Sequence, residues 1–351
     1  MKDCVVFCTI RSTESFKAYA ENFRKYGHNP HVVVVDETGE TRELIHKSLE
    51  GFNVEFYGAE ERKRFFELRG FDSETVPAKT TDVIGFSLLV VYPRNYDMVV
   101  FVDDDTYPIQ HYDFLGRHWK NLDEHSMKVM DSLHGWVNPH PRMFGRGHPY
   151  VLRNGHIDMT TDKMCEGSVL NMGLWRDVPD LNAIDYLFYG SLQGIYHDKG
   201  VFDSKSYILG DNYMPLCRMN MAFRPEIIPA FYQGTGDVHG VGRYGDVFSG
   251  LFLMKIARFL GDNISFGHPL CVHKKEPRDV FKDVKNECEA IKLNETMWKV
   301  LDQIEIEGKD YGSCYLSLAK GLLKHKREFH NPEYIEYLVG RMRNWVKVVE
   351  V

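Results

Sequence analysis

The sequence predicts an α/β protein: a mostly parallel central sheet flanked by helices, followed by a C-terminal helical extension. Short β-branched apolar runs at residues 5–10, 31–35, 53–57 and 98–102 alternate with stretches of helical spacing around residues 16–26, 41–49, 59–69 and 79–91. Such alternation builds a parallel sheet with helices over both faces. From residue 278 onward the pattern is helical. The chain is therefore expected to divide into a sheet-bearing domain over residues 1–275 and a helical extension over residues 276–351 packed on it.

The elements follow in order. After the first strand, Ser12, Thr13 and Glu14 supply a helix start, and Phe16, Tyr19, Ala20, Phe23 and Tyr26 recur at helical spacing up to Gly27. The second strand ends at Asp36, and the run over residues 98–102 leads directly into Asp103, Asp104 and Asp105. In open parallel sheets ligands sit at the carboxyl ends of the strands. Those ends carry Arg11, Asp36 and the aspartate triplet. Residues 134–155, rich in His, Pro, Gly and Arg, read as a long loop of the kind that is either functional or disordered. Strand-like runs come next at residues 169–175 and 216–223, then a helical run at 246–260 and a last strand at 269–273. Asn331, Pro332 and Glu333 form an N-cap with proline at the first helical position.

With 351 residues, 43% of them apolar and 26% charged, the chain has material for a core, which excludes disorder and fibrous structure. The 43 basic against 50 acidic residues leave a formal charge of −7 and no broad positive field, so a nucleic-acid partner is not expected. Seven cysteines, odd in number and scattered, read as reduced thiols in a cytoplasm. No apolar run approaches the ~18 residues of a membrane span, and Met1-Lys2-Asp3 enters the first strand without a signal-peptide pattern. A cytoplasmic protein is expected.

No G-x-G-x-x-G follows the first strand and no G-x-x-x-x-G-K-[ST] occurs, which disfavours a dehydrogenase or a P-loop enzyme. Three carboxylates at the end of a buried strand repel one another, and a divalent cation resolves the repulsion. Oxygen ligands suit Mg²⁺ or Mn²⁺; a solvated acidic turn is the plainer alternative. His273, at the end of its own strand, could add an imidazole and favour Mn²⁺. Asp246 follows Gly242-Arg243-Tyr244-Gly245 and opens a helical run whose dipole keeps it ionised. It could serve as base, nucleophile or oxocarbenium stabiliser, or simply as an N-cap. The loop over residues 142–153 sets Arg142, Arg146 and Arg153 among glycines, a combination suited to phosphate recognition, or to nothing beyond solvent exposure.

Six motifs in one order carry a resemblance. They are Phe101-Val102-Asp103-Asp104-Asp105; Arg146-Gly147 with Pro149-Tyr150, Leu152-Arg153 and Gly155; Met219-Asn220 with Ala222-Phe223; Gly242-Arg243-Tyr244 with Asp246; His273-Lys274; and Cys314-Tyr315 with Leu318. On these the chain resembles the reversibly glycosylated polypeptide family, glycosyltransferase family 75, which includes UDP-arabinopyranose mutases. The sequence carries Thr106, Arg218 and Gly245 where plant members carry cysteine, glycine and aspartate. The resemblance implies a GT-A-type nucleotide-sugar-binding fold, a UDP-sugar donor, Mn²⁺ or Mg²⁺ at the triplet, and a homo-oligomer. It also implies that Arg146 matches the arginine glycosylated in the family and Arg153 a second arginine needed for activity.

The expected site accordingly takes Arg146, Arg153 and Asp246 as catalytic. Arg11, Asp36, Lys79, Asp103, Asp104, Asn220 and Arg243 are read as donor-binding, with Arg11, Asp36 and Lys79 at the uridine end. Asp103, Asp105 and His273 are read as metal ligands. A guanidinium, with a pKa above ~12 and no free lone pair, is a poor nucleophile, so a diphosphate clamp is the easier role for Arg146 with Arg153. The favoured activity is a UDP-arabinopyranose mutase, with UDP-glucose or UDP-galactose as other donors. The alternatives are a glycosyltransferase, self-glycosylating or acting on an external acceptor, and a UDP-sugar-binding subunit without turnover.

Overall fold

Alternation along the first strands sorts their side chains onto two faces, as the unbroken apolar runs require. β1 (Asp3–Thr9), β2 (His31–Asp36), β3 (Asn53–Tyr57) and β4 (Met98–Asp103) pair in parallel in the order β3-β2-β1-β4. Val5, Phe7, Val32, Val34, Met98 and Val100 join Phe16, Tyr19 and Phe23 of α1 (Ser15–Tyr26) in one apolar cluster. Cys4, Val6, Val33, Val35, Val99 and Phe101 join a second, larger one on the opposite face. The computed structural model describes residues 2–11, 14–36, 41–71, 76, 83–123, 126–200, 205–234 and 238–350. Ser12, Thr13 and Lys79 lie outside the described residues.

Helices α2 (Arg42–Ser48), α3 (Ala59–Arg69) and α4 (Ile84–Val91) fall in the expected stretches. Beyond β4 the sheet continues through strands that the sequence shows poorly. The short β5 (Thr106–Pro108) follows the triplet, and α5 (Phe114–Asp123) leads to β6 (Ser126–Ser132). Then come β7 (Asp158–Glu166), β8 (Leu170–Asp177), α6 (Ala183–Phe188), β9 (Ser206–Leu209), β10 (Asn220–Phe223), α7 (Gly245–Leu260) and β11 (Ile264–His273). The full order is β3-β2-β1-β4-β10-β8-β11-β9-β6-β7, with β5 paired to β11. Parallel ladders make up the larger part of the pairing, and β10 runs antiparallel between β4 and β8.

Two strands depart from expectation for local reasons. Residues 216–219 turn rather than extend, because the Met219 carbonyl accepts from the Asp103 backbone N–H at 3.2 Å and carries the chain across the end of β4. Conversely, β11 starts five residues before the expected residue 269, since Gly267 and Pro269, which look like breakers, sit in a bulge where the register with β8 shifts. The positive φ of Gly267 (127°) is part of that bulge.

The long loop over residues 134–155 is present, with one 3₁₀ turn at Tyr150–Leu152. α8 (Val280–Gln303), α9 (Tyr311–Lys324) and α10 (Pro332–Val349) follow the sheet. The Asn331 side chain caps α10 by accepting from the Tyr334 N–H at 3.1 Å. Tyr315, Tyr334 and Trp345 of these helices share a core cluster with Val99 and Phe101 of β4. All seven cysteines are free thiols. Among the described residues no helix is long and apolar enough to cross a membrane.

Candidate functional site

β4 ends at Asp103, and β5 begins immediately after Asp105. β5 lies antiparallel to the end of β11 with Thr106 opposite His273, and the Lys274 N–H donates to the Asp105 carbonyl at 2.8 Å. That three-residue strand is what brings His273 to the triplet. His273 Nδ1 donates to the Val178 carbonyl at 2.7 Å. In a neutral ring this tautomer turns the Nε2 lone pair toward Asp105 Oδ2, 3.6 Å away. Two acceptors so placed need a proton or a cation between them. Burial and the neighbouring charge of Asp105 push Asp103 up to about 7. Burial also opposes ionisation of Asp105, but His273 and Arg11 outweigh it and hold that carboxyl below its usual range.

Asp104 faces away from this pair. It accepts from Thr9 Oγ1 at 2.5 Å and from Arg11 Nε and Nη2 at 3.1 and 2.9 Å, and Arg11 Nη2 also reaches Asp105 Oδ2 at 3.3 Å. Two carboxylates and one imidazole, with the imidazole's other nitrogen fixed by a backbone carbonyl, are donor types that suit Mn²⁺ or Mg²⁺, although among the described residues it is Asp180, Cys217 and Asp246 that gather three ligand-type atoms within 4.8 Å.

Arg146 Nε donates to Asp180 Oδ2 at 2.9 Å, and Nη1 and Nη2 form a bidentate pair with Asp246 Oδ1 and Oδ2 at 3.0 and 2.6 Å. Nη1 also donates to the Arg243 carbonyl. Burial opposes the charge, but the two carboxylates prevail and raise the guanidinium well above its ordinary value. Asp180 is itself held as an anion: despite burial it falls to about 2 beside Arg146. Asp180, Cys217 and Asp246 place ligand-type atoms within 4.8 Å of one another, but the cation already bonded to both carboxylates is Arg146. Asp246 sits in the first turn of α7 as expected, past the Tyr244 N-cap; its oxygens hold Arg146, and Oδ1 also accepts from the Val247 N–H at 3.0 Å.

The loop is shaped for this. Gly147 adopts φ +97°, and a Cβ there would lie 2.6 Å from Val247 Cγ1 of α7. Asn294 of α8 donates to the Gly147 carbonyl at 2.7 Å, and Glu295 of α8 accepts from the Tyr150 N–H. The C-terminal extension thus fixes the loop that carries Arg146.

These residues share a cavity of about 270 Å³. Asp103, Asp105 and His273 line it together with Arg146, Arg218, Arg243, Lys275 and Arg278, with Asp180, Cys217 and Asp246 among them. Arg243 pairs with Asp283 and, at 3.4 Å, with Glu287 of α8. Arg278 pairs with Asp283 at 3.2 Å. Lys275 Nζ donates to the Tyr186 hydroxyl at 3.1 Å, and burial pushes its pKa down to about 8. Anionic ligands that also bridge a metal fit a cavity with this mixture of charge.

Six of the expected residues therefore line one cavity: Arg146, Asp246, Arg243, Asp103, Asp105 and His273. Arg11 and Asp104 support it from behind. Asp36 is buried at the end of β2, beside Thr9 in register, and accepts from Thr41 Oγ1 at 2.6 Å. Asp36 is not among the residues that line the cavity, and neither are Arg153 and Asn220. Arg153 is bidentate to Asp185 of α6 at 2.7 and 3.0 Å and lies 3.7 Å over the Tyr150 ring. Asn220 is fully buried beneath the site, donating to the Leu174 carbonyl at 3.0 Å and accepting from His118 Nε2 at 3.1 Å. Sequence reasoning missed Asp180, Lys275 and Arg278, and gave Arg218 no role. Only Lys275, two residues past His273 at a strand end, carried a usable signal.

Fold and site together define an α/β protein whose strand-end carboxylate and imidazole groups line one cavity together with five basic side chains. The chain belongs to the reversibly glycosylated polypeptide family, whose sequence profile matches residues 2–351. It is similar to UDP-arabinopyranose mutase 3 of Arabidopsis thaliana, 25% identical over 357 residues that cover 99% of this chain and 90% of that one. It is also similar to probable UDP-arabinopyranose mutase 1 of Pisum sativum, 27% identical over 357 residues, 98% of this chain and 89% of that one. Among solved structures, glucosyl-3-phosphoglycerate synthase from Mycobacterium tuberculosis in complex with Mn²⁺, UDP-glucose and phosphoglyceric acid gives a TM-score of 0.41 at 13% identity, covering 85% of this chain and 79% of that one. At that distance the likeness carries no argument.

Proposed function

We propose that this protein is a UDP-sugar mutase of GT-A type that interconverts UDP-arabinopyranose and UDP-arabinofuranose, with Mn²⁺ or Mg²⁺ held by Asp103, Asp105 and His273. The observation that carries the reading is the cavity that those three groups line together with five basic side chains. Membership of the family and the names of the similar plant proteins support the substrate. Bound there, the cation would neutralise charge on the diphosphate as the bond between the anomeric carbon and the phosphate oxygen breaks.

The chain's own residues then have separable tasks. The basic side chains keep the released UDP at hand, so that the sugar returns to it instead of meeting water. A different hydroxyl oxygen of the sugar bonds to the anomeric carbon as the bond from that carbon to the original ring oxygen breaks, the hydroxyl proton passes to the freed ring oxygen, and UDP re-forms its bond to the anomeric carbon. Atoms balance without a second substrate. Arg146, locked as a cation between Asp180 and Asp246, donates hydrogen bonds and does not act as a nucleophile.

Purified protein incubated with Mn²⁺ and either UDP-arabinose isomer tests this by anion-exchange chromatography and proton NMR. Approach to one pyranose:furanose ratio from both sides is expected. Formation of UDP with free or protein-bound sugar would instead make transfer the native reaction.

A further inference from the structure

The cavity holds five cations, and four of them are already engaged by the protein. Arg146 is bonded to Asp180 and Asp246, Arg243 to Asp283, Arg278 to Asp283, and Lys275 to the Tyr186 hydroxyl. Arg218 is the exception: its guanidinium lines the cavity half-buried, with no hydrogen bond or ion pair to any of the described residues. Its surroundings are nevertheless rigid. The Cys217 N–H is tied to Met172 Sδ at 3.3 Å and the Met219 carbonyl to the Asp103 N–H at 3.2 Å, so the backbone on both sides of Arg218 is anchored. Arg218 and Asp103 line the same cavity, and the positive charge of Arg218 favours ionisation of that carboxyl.

We infer that Arg218 is the residue that receives the diphosphate, hydrogen-bonding an anionic phosphate oxygen next to the metal that Asp103, Asp105 and His273 would hold. The inference rests on the proposed UDP-sugar reading of the cavity and adds to it the group that discriminates a diphosphate from a neutral ligand. A guanidinium with unspent donors gains charge-assisted hydrogen bonds when phosphate arrives, whereas Arg146 would have to give up carboxylate partners to do the same. In the cavity that Arg218 shares with Asp103, the same positive charge also opposes a cation at the triplet until phosphate neutralises it. Nucleotide and metal should therefore bind better together than apart.

Titration calorimetry of the full chain with UDP, with uridine as a competitor, and with Mn²⁺ alone tests this. Arg218→Gln is expected to weaken UDP binding about ten- to a hundredfold. It should leave uridine binding unchanged and tighten Mn²⁺ binding in the absence of nucleotide. Arg218→Lys, which keeps the charge and loses the fork, should fall between. Unchanged UDP affinity in Arg218→Gln overturns the inference while the mutase reading stands. Equal weakening of UDP and uridine overturns it as well, since the loss would then be structural, and so does unchanged or weaker Mn²⁺ binding. Absence of UDP binding by the unaltered protein overturns both the inference and the reading on which it rests.

Discussion

Arg146 shows how much of the site is settled by one side chain. At 8% exposure it is buried against Asp180 and Asp246 and bonded to both. Arg146→Lys supplies a point charge that cannot satisfy both carboxylates, and breaking a buried pair of this kind costs about 3–5 kcal/mol. Urea unfolding should show that loss together with loss of isomerisation; retained stability would mean that the two carboxylates find other partners. Asp105 is the residue on which the metal claim turns. Replacing it with alanine should abolish Mn²⁺-dependent UDP binding, and unchanged calorimetric binding would remove the triplet from the mechanism. The triplet and His273 were legible because each terminates an apolar run, and a run's end in a parallel sheet is a place where ligands bind. Asn220 was misread for the opposite reason: its motif is distinct, but a residue type does not reveal that His118 and the Leu174 carbonyl use up its amide.

Helices and strands position these groups through a few close contacts. α7 can approach the Arg146 loop only because Gly147 has no Cβ and adopts φ +97°. Gly147→Ala forces an L-residue into that region and into Val247, a strain of about 1–3 kcal/mol before any clash. Its melting temperature should fall, and the Arg146–Asp246 pair should be disturbed more than the triplet, so UDP binding suffers before Mn²⁺ binding does. β5 is the other decisive element. Three residues long, it offered no periodicity to read, yet its pairing with β11 is what places His273 at the aspartates. Strands β1, β2 and β4 were readable because burial on both faces writes itself as runs of Val and Phe, whereas β3, with Glu55 in its middle, is only half-buried. β6, β7 and β9 are short or half-exposed and mix polar residues into their runs.

The whole molecule binds its C-terminal helices into the same core that supports the sheet. Asp283, Glu287, Asn294 and Glu295 of α8 hold Arg243 or the Arg146 loop, and Trp345 of α10 donates to the Ile228 carbonyl at 3.0 Å. A chain ending at residue 275 should fail to show a cooperative thermal transition; a stable, UDP-binding fragment would show that the extension is dispensable. Protonation acts at the same scale. Burial holds His118 and His140 at about 4 and His148 at about 3, below the ordinary 6.5. These rings stay neutral in the fold while the unfolded chain takes up protons, so their contribution to stability is complete above pH ~6.5 and is lost progressively as pH falls toward 4, while Asp103, raised to about 7, favours the fold over the same range. Melting temperatures recorded across that window should decline in the Asp103→Asn protein more steeply than in the unaltered one, and a flat profile in that variant would show that the three rings are solvated.

From the sequence alone came the α/β class, the parallel first half of the sheet, the strand-end acids and the family. These are local quantities: periodicity, run length and ordered motifs survive in one dimension because each reflects what neighbouring residues must do together. Tertiary structure alone decided which charges meet. Arg146 with Asp246, His273 with Asp105 and Arg243 with Asp283 are pairs between segments far apart in the chain, made by β5, the loop around Gly147 and α8. Whether a cation in the cavity is already neutralised depends on such long-range pairing. No spacing rule records it, because the free energy of a buried charge is set by what surrounds it in space and not by its neighbours along the chain.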